Sequence, residues 1–296
     1  MAEYVLSCCS TVDLSIEHLE KRNIKYICFT YYLNEEEYKD DFGQTIPIPD
    51  FYKAMEGGAS TRTSQINIAD YKDYFETFLK EGKDVIHVTL SSGISGTVTS
   101  ANCAADMLRP LYPDRQIIII DSLAASSGYG LLMDRAADMR DEGMTINELE
   151  AWINANKLNV HHWFFSTTLK YYVKGGRVTR AEGFLGNALS ICPLLHVDEE
   201  GRLIPMEKVR TKKRVIKAIV DKMVQYADEG LDYSGKCYLS NSACYEDAKA
   251  VADLVRETFN NKDFPIEIND IGTVIGSHTG PGTVALFFWG KSRLEK

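Results

Sequence analysis

Residues 85–108 of the chain read VIHVTLSSGISGTVTSANCAADML. This pattern predicts a buried strand over residues 85–90, a turn with two glycines over residues 91–97, and a helix that continues to residue 108. Four hydroxyl side chains lie in the turn, and the start of the helix presents free backbone N–H groups. The combination suits an oxyanion such as a carboxylate or a phosphate. Serines that only cap the helix are the alternative.

The same strand–loop–helix unit recurs on both sides of this stretch. Strands are predicted at residues 4–6, 26–29 and 117–120, and helices at residues 68–80 and 128–140. Asp13 is expected to cap a further helix through Leu19. The four consecutive isoleucines at 117–120 favour a central strand covered on both faces. The first half is therefore predicted to be a doubly wound α/β domain with a parallel sheet, whose ligands bind beyond the carboxyl ends of the strands.

A different pattern begins near residue 160, and we predict two domains, residues 1–160 and 161–296. The second half shows strands at 162–166, 235–240, 266–271 and 284–289, a hairpin over 192–209, and helices at 214–226 and 245–259. Strands and helices in this order are typical of an α+β domain. The last five residues, SRLEK, are expected to be an exposed tail.

The overall composition limits the classes of function. The 296 residues include 33 Lys and Arg against 42 Asp and Glu, and a net charge of -9 argues against binding of nucleic acid. No apolar run approaches the roughly 20 residues of a membrane span, and the N-terminus lacks the features of a secretory signal, so we expect a cytoplasmic protein. The seven cysteines and six histidines show no metal-ligand spacing, and no metal or other cofactor is predicted.

Two further segments are rich in hydroxyls or glycines. Residues 61–65, TRTSQ, are predicted to form a turn between two helices, and residues 275–282, IGSHTGPG, a loop between strands. His278 in that loop is a candidate donor to a bound anion, with a solvated loop histidine as the alternative. A phosphate-binding P-loop is excluded because no lysine follows Gly96. A GxSxG nucleophile turn is excluded because Thr97 stands where its last glycine belongs.

Two basic clusters interrupt the acidic sequence. They comprise Lys170, Lys174, Arg177 and Arg180, and then Lys208, Arg210, Lys212, Lys213 and Arg214. Both are candidates for docking an anionic partner, and solvated helix faces are the alternative.

Taken together, these motifs resemble those of the DegV family. The resemblance covers nearly the whole chain and rests on six segments in the family's order: Ser10-Thr11-x-Asp13-Leu14, Thr63-Ser64-Gln65, Ser92-Gly93-Ile94-Ser95-Gly96-Thr97, Asp121-Ser122, Lys174-Gly175-Gly176-Arg177 and residues 275–282. It implies a two-domain fold, in which an N-terminal parallel-sheet α/β/α domain is joined to a C-terminal α/β domain with a mixed sheet. It also implies a non-catalytic bacterial protein that binds a long-chain, palmitate-like fatty acid in an apolar tunnel. The carboxylate at the domain interface would be presented to a separate ATP-dependent fatty acid kinase, which makes an acyl phosphate.

The resemblance also implies which residues bind the carboxylate. They are Thr63, Ser95 and His278, and Arg177 is implied to be a gate or a cation that faces the partner. Secondary candidates from the same motifs are Ser64, Gly96, Ser122, Ser277 and Thr279. Cys9 departs from the family, which often has an aspartate there, and no proline follows the TSQ motif.

Three functions remain open on these grounds. The first is a fatty-acid carrier, the second an enzyme that uses Ser95 and His278 as a hydrolase or on a phosphate ester, and the third a carrier of another amphipathic acid. For a carrier, each buried CH₂ contributes ~0.8 kcal/mol, so about sixteen carbons give on the order of 10 kcal/mol. Hydrogen bonds to a charged head group contribute about 1–3 kcal/mol each. The tunnel would therefore dominate affinity, while the hydroxyls orient the head group.

Overall fold

The computed structural model describes residues 4–178 and 191–295 of the chain. The strands are β1 (Tyr4–Cys9), β2 (Lys25–Ile27), β3 (Thr30–Leu33), β4 (Glu36–Lys39), β5 (Thr61–Ser64), β6 (Asp84–Thr89), β7 (Ile117–Asp121), β8 (Val160–Ser166), β9 (Ile191–Val197), β10 (Leu203–Arg210), β11 (Cys237–Asn241), β12 (Ile266–Asp270) and β13 (Thr283–Trp289). The α-helices are α1 (Ile16–Lys21), α2 (Ile48–Glu56), α3 (Ile68–Lys80), α4 (Thr97–Leu108), α5 (Ser126–Asp141), α6 (Ile146–Asn156), α7 (Lys170–Lys174), α8 (Lys212–Tyr226), α9 (Tyr245–Thr258) and α10 (Thr273–Thr279).

Four parallel strands form the sheet of the first half, in the order β2-β1-β6-β7. The inner strand β6 is buried along its whole length, as expected of a strand covered on both faces. The prediction that residues 117–120 form the central strand is wrong, because β7 lies at the edge and Ile118 and Ile119 are only partly buried. Four consecutive isoleucines carry no periodicity that separates a central strand from an edge strand.

The second half forms a mixed six-stranded sheet in the order β10-β9-β8-β13-β11-β12, in which only the β11–β12 pair among the described strands is parallel. Its side chains alternate between two cores. Phe164 and Phe287 belong to the core shared with the first half, whereas Trp163 and Phe165 belong to the core that also includes residues of α8 and α9. A parallel sheet and a separate mixed sheet confirm the predicted α/β fold class. The division at residue 160, where β8 begins, stays a prediction.

A third, antiparallel sheet has the order β4-β3-β5. It corrects the interpretation of residues 61–65 as a turn, because Thr61–Ser64 pair with β3 and place Thr63 opposite Tyr31. Thr61 and Thr63 are β-branched residues two positions apart, which suits a strand with one face toward the protein. Thr63 therefore lies on regular, hydrogen-bonded backbone.

Residues 273–279 form the helix α10, so the prediction of a loop over residues 275–282 is wrong for its first part. Only the glycine-rich end, residues 280–282, connects to β13 as a loop, and Gly280 and Gly282 have positive φ angles of 67° and 87°. The helix begins beside two buried carboxylates. Asp13 accepts from the Gly272 N–H at 3.0 Å, and Asp40 accepts from the Thr273 N–H at 3.2 Å and from its hydroxyl.

The helix α1 is capped by Ser15, which accepts from the His18 N–H at 3.1 Å. The prediction that Asp13 caps it is wrong, since Asp13 takes a left-handed conformation with φ of 46° and reaches Gly272 and Ser126 instead. Burial raises the pKa of the Asp13 carboxyl well above its usual range. Asp13 therefore helps to set the start of α10.

The chain end is anchored at Arg293, which contradicts the expectation of an exposed tail over residues 292–296. The Arg293 guanidinium donates to the carbonyls of Asp198 at 2.6 Å and Leu123 at 2.8 Å. Burial lowers the pKa of Arg293 to about 10. Leu294 is exposed, as expected.

Candidate functional site

Residues from both halves of the chain line a cavity of about 110 Å³. A cavity that holds one buried water has a volume of roughly 10–15 Å³, so this cavity has room for a row of several atoms. Its walls are mostly apolar and include Phe29 and Leu90 from the first half and Phe164, Leu203 and Phe287 from the second. An elongated apolar ligand fits such walls.

Five of the predicted site residues line this cavity. They are Thr63, Ser95, Arg177, His278 and Thr279, which come from β5, the glycine turn before α4, the segment after α7, and α10. Segments far apart in the sequence thus bring hydroxyl, imidazole and guanidinium groups to one apolar cavity.

The contact between Thr63 and His278 joins β5 to α10. The Thr63 hydroxyl and the His278 Nε2 atom are 2.7 Å apart. Burial, and secondarily the positive charge of Arg177, lower the pKa of His278 to about 4, so the imidazole is neutral near pH 7. A neutral imidazole that donates from Nε2 leaves the Thr63 O–H free to donate to a ligand.

The other ring nitrogen of His278 is buried without a hydrogen-bond partner among the described residues. It lies against Gly175, where an added Cβ would come within 2.4 Å of Nδ1. Gly175 is therefore required for the close approach of the KGGR segment to the imidazole. Together, Thr63 and Gly175 fix the ring from both sides.

The turn that carries Ser95 is packed against the β9–β10 hairpin. A Cβ at Gly93 would lie 2.5 Å from the carbonyl group of Gly201, and the Ser91 hydroxyl donates to the Gly201 carbonyl at 2.8 Å. The Ser95 hydroxyl oxygen accepts from the Thr97 N–H at 3.3 Å. Ser95 does not cap α4, because the N-cap position is Gly96. The contact with Thr97 uses only the hydroxyl oxygen and leaves the Ser95 O–H available to a carboxylate.

Arg177 reaches from the KGGR segment to the same turn. Its Nε donates to the Ile94 carbonyl at 3.2 Å, and its Nη1 donates to the Gly175 carbonyl at 2.5 Å. Ile94 precedes Ser95, so these bonds connect the guanidinium to the candidate carboxylate ligands. Burial lowers the pKa of Arg177 below its usual range, but an arginine remains charged at neutral pH.

The remaining secondary candidates do not line the cavity. Ser64 is exposed and its hydroxyl lies 3.4 Å from the Gln65 carbonyl, while Ser122 and Ser277 are buried and donate to the carbonyls of Ala124 and Thr273. Gly96 is exposed, and a Cβ there would lie 2.6 Å from the Gln65 amide oxygen. Arg180, the last residue of the first basic cluster, lies outside the described residues.

The sequence did not indicate the cavity walls or one support of the site, Asp40. Phe164 and His162 on β8, Phe287 on β13 and Tyr172 on α7 line the cavity, and no local pattern sets them apart from other buried residues. Asp40, which anchors the start of α10, gave no signal at all, because its contact with Thr273 spans 233 positions.

The contacts of His278 argue against the enzymatic alternative, in which Ser95 and His278 act as catalytic residues. His278 Nε2 contacts Thr63, and among the described residues no carboxylate contacts the imidazole, so the acidic partner of a catalytic triad is missing from this part of the chain.

Within residues 4–178 and 191–295, no group of three or more His, Cys, Asp or Glu side chains is arranged to hold a metal ion. No helix in the same ranges has the length and apolar character needed to cross a bilayer.

Comparisons with known proteins show the family and the fold of the chain. The DegV family model matches residues 9–291. A fatty acid-binding protein of Thermotoga maritima is 33% identical over 281 residues, which are 93% of each chain. The solved structure of a DegV lipid binding protein from Thermotoga maritima superposes with a TM-score of 0.85 at 28% identity and covers 98% of this chain and 99% of the other.

A third similarity shows the same fold at lower identity. The fatty acid kinase B3 protein of Streptococcus pneumoniae, solved with linoleic acid, superposes with a TM-score of 0.81 at 22% identity. The match covers 98% of this chain and 100% of the other.

Proposed function

Since the chain belongs to the DegV family, we propose that it binds one long-chain, palmitate-like fatty acid, with the acyl chain in the apolar cavity. DegV-family proteins bind fatty acids. The observation that carries the proposal is the joint lining of one apolar cavity by Thr63, Ser95 and His278. Hydroxyl and imidazole groups on the wall of a mostly apolar cavity suit a ligand with one acid group and a long hydrocarbon tail.

The carboxylate receives its hydrogen bonds from two hydroxyls. Ser95 and Thr63 each donate one O–H, and His278 holds Thr63 in the donating orientation through their 2.7 Å contact. Hydrogen bonds to a charged group are stronger than neutral ones, so these donors select an ionised acid over an alcohol or an ester. Arg177 adds a positive charge near the same group.

The test is a titration of delipidated protein with hexadecanoic acid and with hexadecanol, which has the same tail and no carboxylate. We expect the acid to bind at least about tenfold more tightly, because the alcohol cannot accept two hydroxyl donors as a charged group does. Equal affinities would show that the hydroxyls do not recognise the acid group.

We further propose that the protein is a non-catalytic carrier that presents its acid to a fatty acid kinase. The family resemblance supports this partner, and so does the partial exposure of Arg177 and Gly175 beside the proposed carboxylate site. The test measures acyl-phosphate formation with ATP and a cognate kinase. His278→Ala is expected to lower this rate more than it lowers fatty-acid affinity, and an unchanged rate would contradict the assignment of His278.

A further inference from the structure

Thr279 differs from the other hydroxyl residues that line the cavity. Its side-chain oxygen is buried and has no hydrogen-bond partner among the described residues, and the residue is only 7% exposed. The hydroxyls of Thr63, Ser95, Ser126, Tyr172 and Thr283, which line the same cavity, all have protein partners. A buried hydroxyl without a partner is costly, so this atom points to a group that the protein itself does not supply.

The same helix provides an internal comparison. A helical serine or threonine commonly satisfies its hydroxyl at the carbonyl four residues earlier. Ser277 does so, since it donates to the Thr273 carbonyl at 2.8 Å. Thr279 makes no such bond to Ile275. Its hydroxyl is therefore left for the cavity, which Ile275 and Thr279 line from the same face of α10.

The position of Thr279 defines which part of a ligand it meets. It follows His278 directly, so their Cα atoms are about 3.8 Å apart. Successive helical residues point about 100° apart around the axis, so the Thr279 hydroxyl lies on a different part of the wall from the His278–Thr63 contact. A group bound by Thr279 would then lie next to the carboxylate on the acyl chain.

On the basis of the proposed function, we propose that the protein selects long-chain acids that carry a hydroxyl within the first few carbons from the carboxylate, and that Thr279 binds this hydroxyl. A ligand hydroxyl can both accept from and donate to Thr279, which a plain methylene cannot do. Sites built around a buried polar group discriminate against ligands that leave that group unpaired.

The test compares hexadecanoic acid with the single enantiomers of 2-hydroxy- and 3-hydroxyhexadecanoic acid in titrations of the delipidated full-length protein. We expect at least one hydroxy acid to bind about tenfold more tightly than hexadecanoic acid. Thr279→Val has nearly the same shape without the hydroxyl and should abolish this preference, and Thr279→Ser should retain it.

The outcomes separate this inference from the proposed function. If hexadecanoic acid binds and no hydroxy acid binds more tightly, the inference is overturned and the carrier function stands. If Thr279→Val weakens all the acids by the same factor, Thr279 binds the carboxylate, and the inference is likewise overturned. If none of the acids binds, both fail.

Discussion

Recognition of an acid group depends on the side-chain hydroxyls of Thr63 and Ser95. Ser95→Ala or Thr63→Val is expected to weaken binding of hexadecanoic acid about tenfold or more, because each removes a hydrogen bond to a charged oxygen. Titration of the delipidated variants measures this, and thermal unfolding should show little loss of stability. Thr99→Ala, on an exposed position of the same helix α4, is the matched control. A variant of Ser95 or Thr63 that binds as tightly as the parent would contradict the assignment.

The ionisation of His278 gives a second prediction at this scale. Because burial lowers the pKa of His278 to about 4, the ring stays neutral from pH 6 to pH 8, and its charge does not contribute to binding there. The ratio of affinities of the parent and His278→Gln for hexadecanoic acid should be constant over that range. If the ratio rises several-fold from pH 8 to pH 6, a protonated His278 binds the carboxylate.

The glycine turn is the element that places Ser95. Gly93→Ala is expected to lower both fatty-acid affinity and the free energy of unfolding, the latter by about 1–3 kcal/mol, because the added Cβ would overlap backbone of Gly201. Denaturant unfolding and titration measure the two effects. Gly57→Ala serves as the control, since Gly57 has an ordinary helical φ of -70° at the end of α2. If Gly93→Ala behaves like Gly57→Ala, the turn does not depend on this contact.

The sequence predicted the glycine turn well because its information is local. A strand, two glycines and a helix start follow one another within residues 84–108, and the structure has β6 and α4 there. The segments with Thr63 and His278 were assigned to the wrong kind of element. Thr63 becomes part of a strand only by pairing with β3, and α10 begins where Asp13 and Asp40 accept its first N–H groups. Neither partner is near in sequence, so no local pattern indicated them.

A buried carboxylate on α5 bonds to side chains from both halves of the chain. Asp134 on α5 bonds to His18 at 2.9 Å, to Tyr238 at 3.2 Å and to Lys236. Desolvation by burial would raise the pKa of Asp134, but the hydrogen bonds and charges of His18 and Lys236 outweigh it and hold the pKa well below its usual range. Asp134 therefore stabilises the folded state in its ionised form.

Loss of this charge should destabilise the whole molecule. Asp134→Asn is expected to lower the free energy of unfolding by about 2–4 kcal/mol at neutral pH, since it removes the buried negative charge that faces Lys236 and His18. The contribution of a carboxyl with a lowered folded pKa is present above its unfolded pKa, about 3.9, and is lost as pH falls below that. The difference between parent and variant should therefore shrink below about pH 4 in denaturant unfolding. Glu56→Gln, an exposed carboxyl at the end of α2, is the control. A difference that stays constant with pH would contradict this assignment.

At the scale of the whole molecule, the α/β class and most elements followed from periodicity, but the cavity did not. The sequence predicted a strand over residues 162–166, but which of its faces meets the first half depends on the strand order β8-β13-β11 and on the packing of α5. The β8–β13 pairing joins residues more than a hundred positions apart. Phe164 and Phe287 could not be singled out as cavity residues for that reason.

The proposed function requires that the protein encloses one long-chain acid with its carboxylate at Thr63 and Ser95. Native mass spectrometry of the protein, purified without delipidation, shows whether it does. We expect a complex heavier than the bare chain by the mass of a single long-chain acid, with the added mass strongly reduced in the double variant Thr63→Val, Ser95→Ala. A parent protein that carries no such acid and takes none up from an added excess would overturn the proposed function.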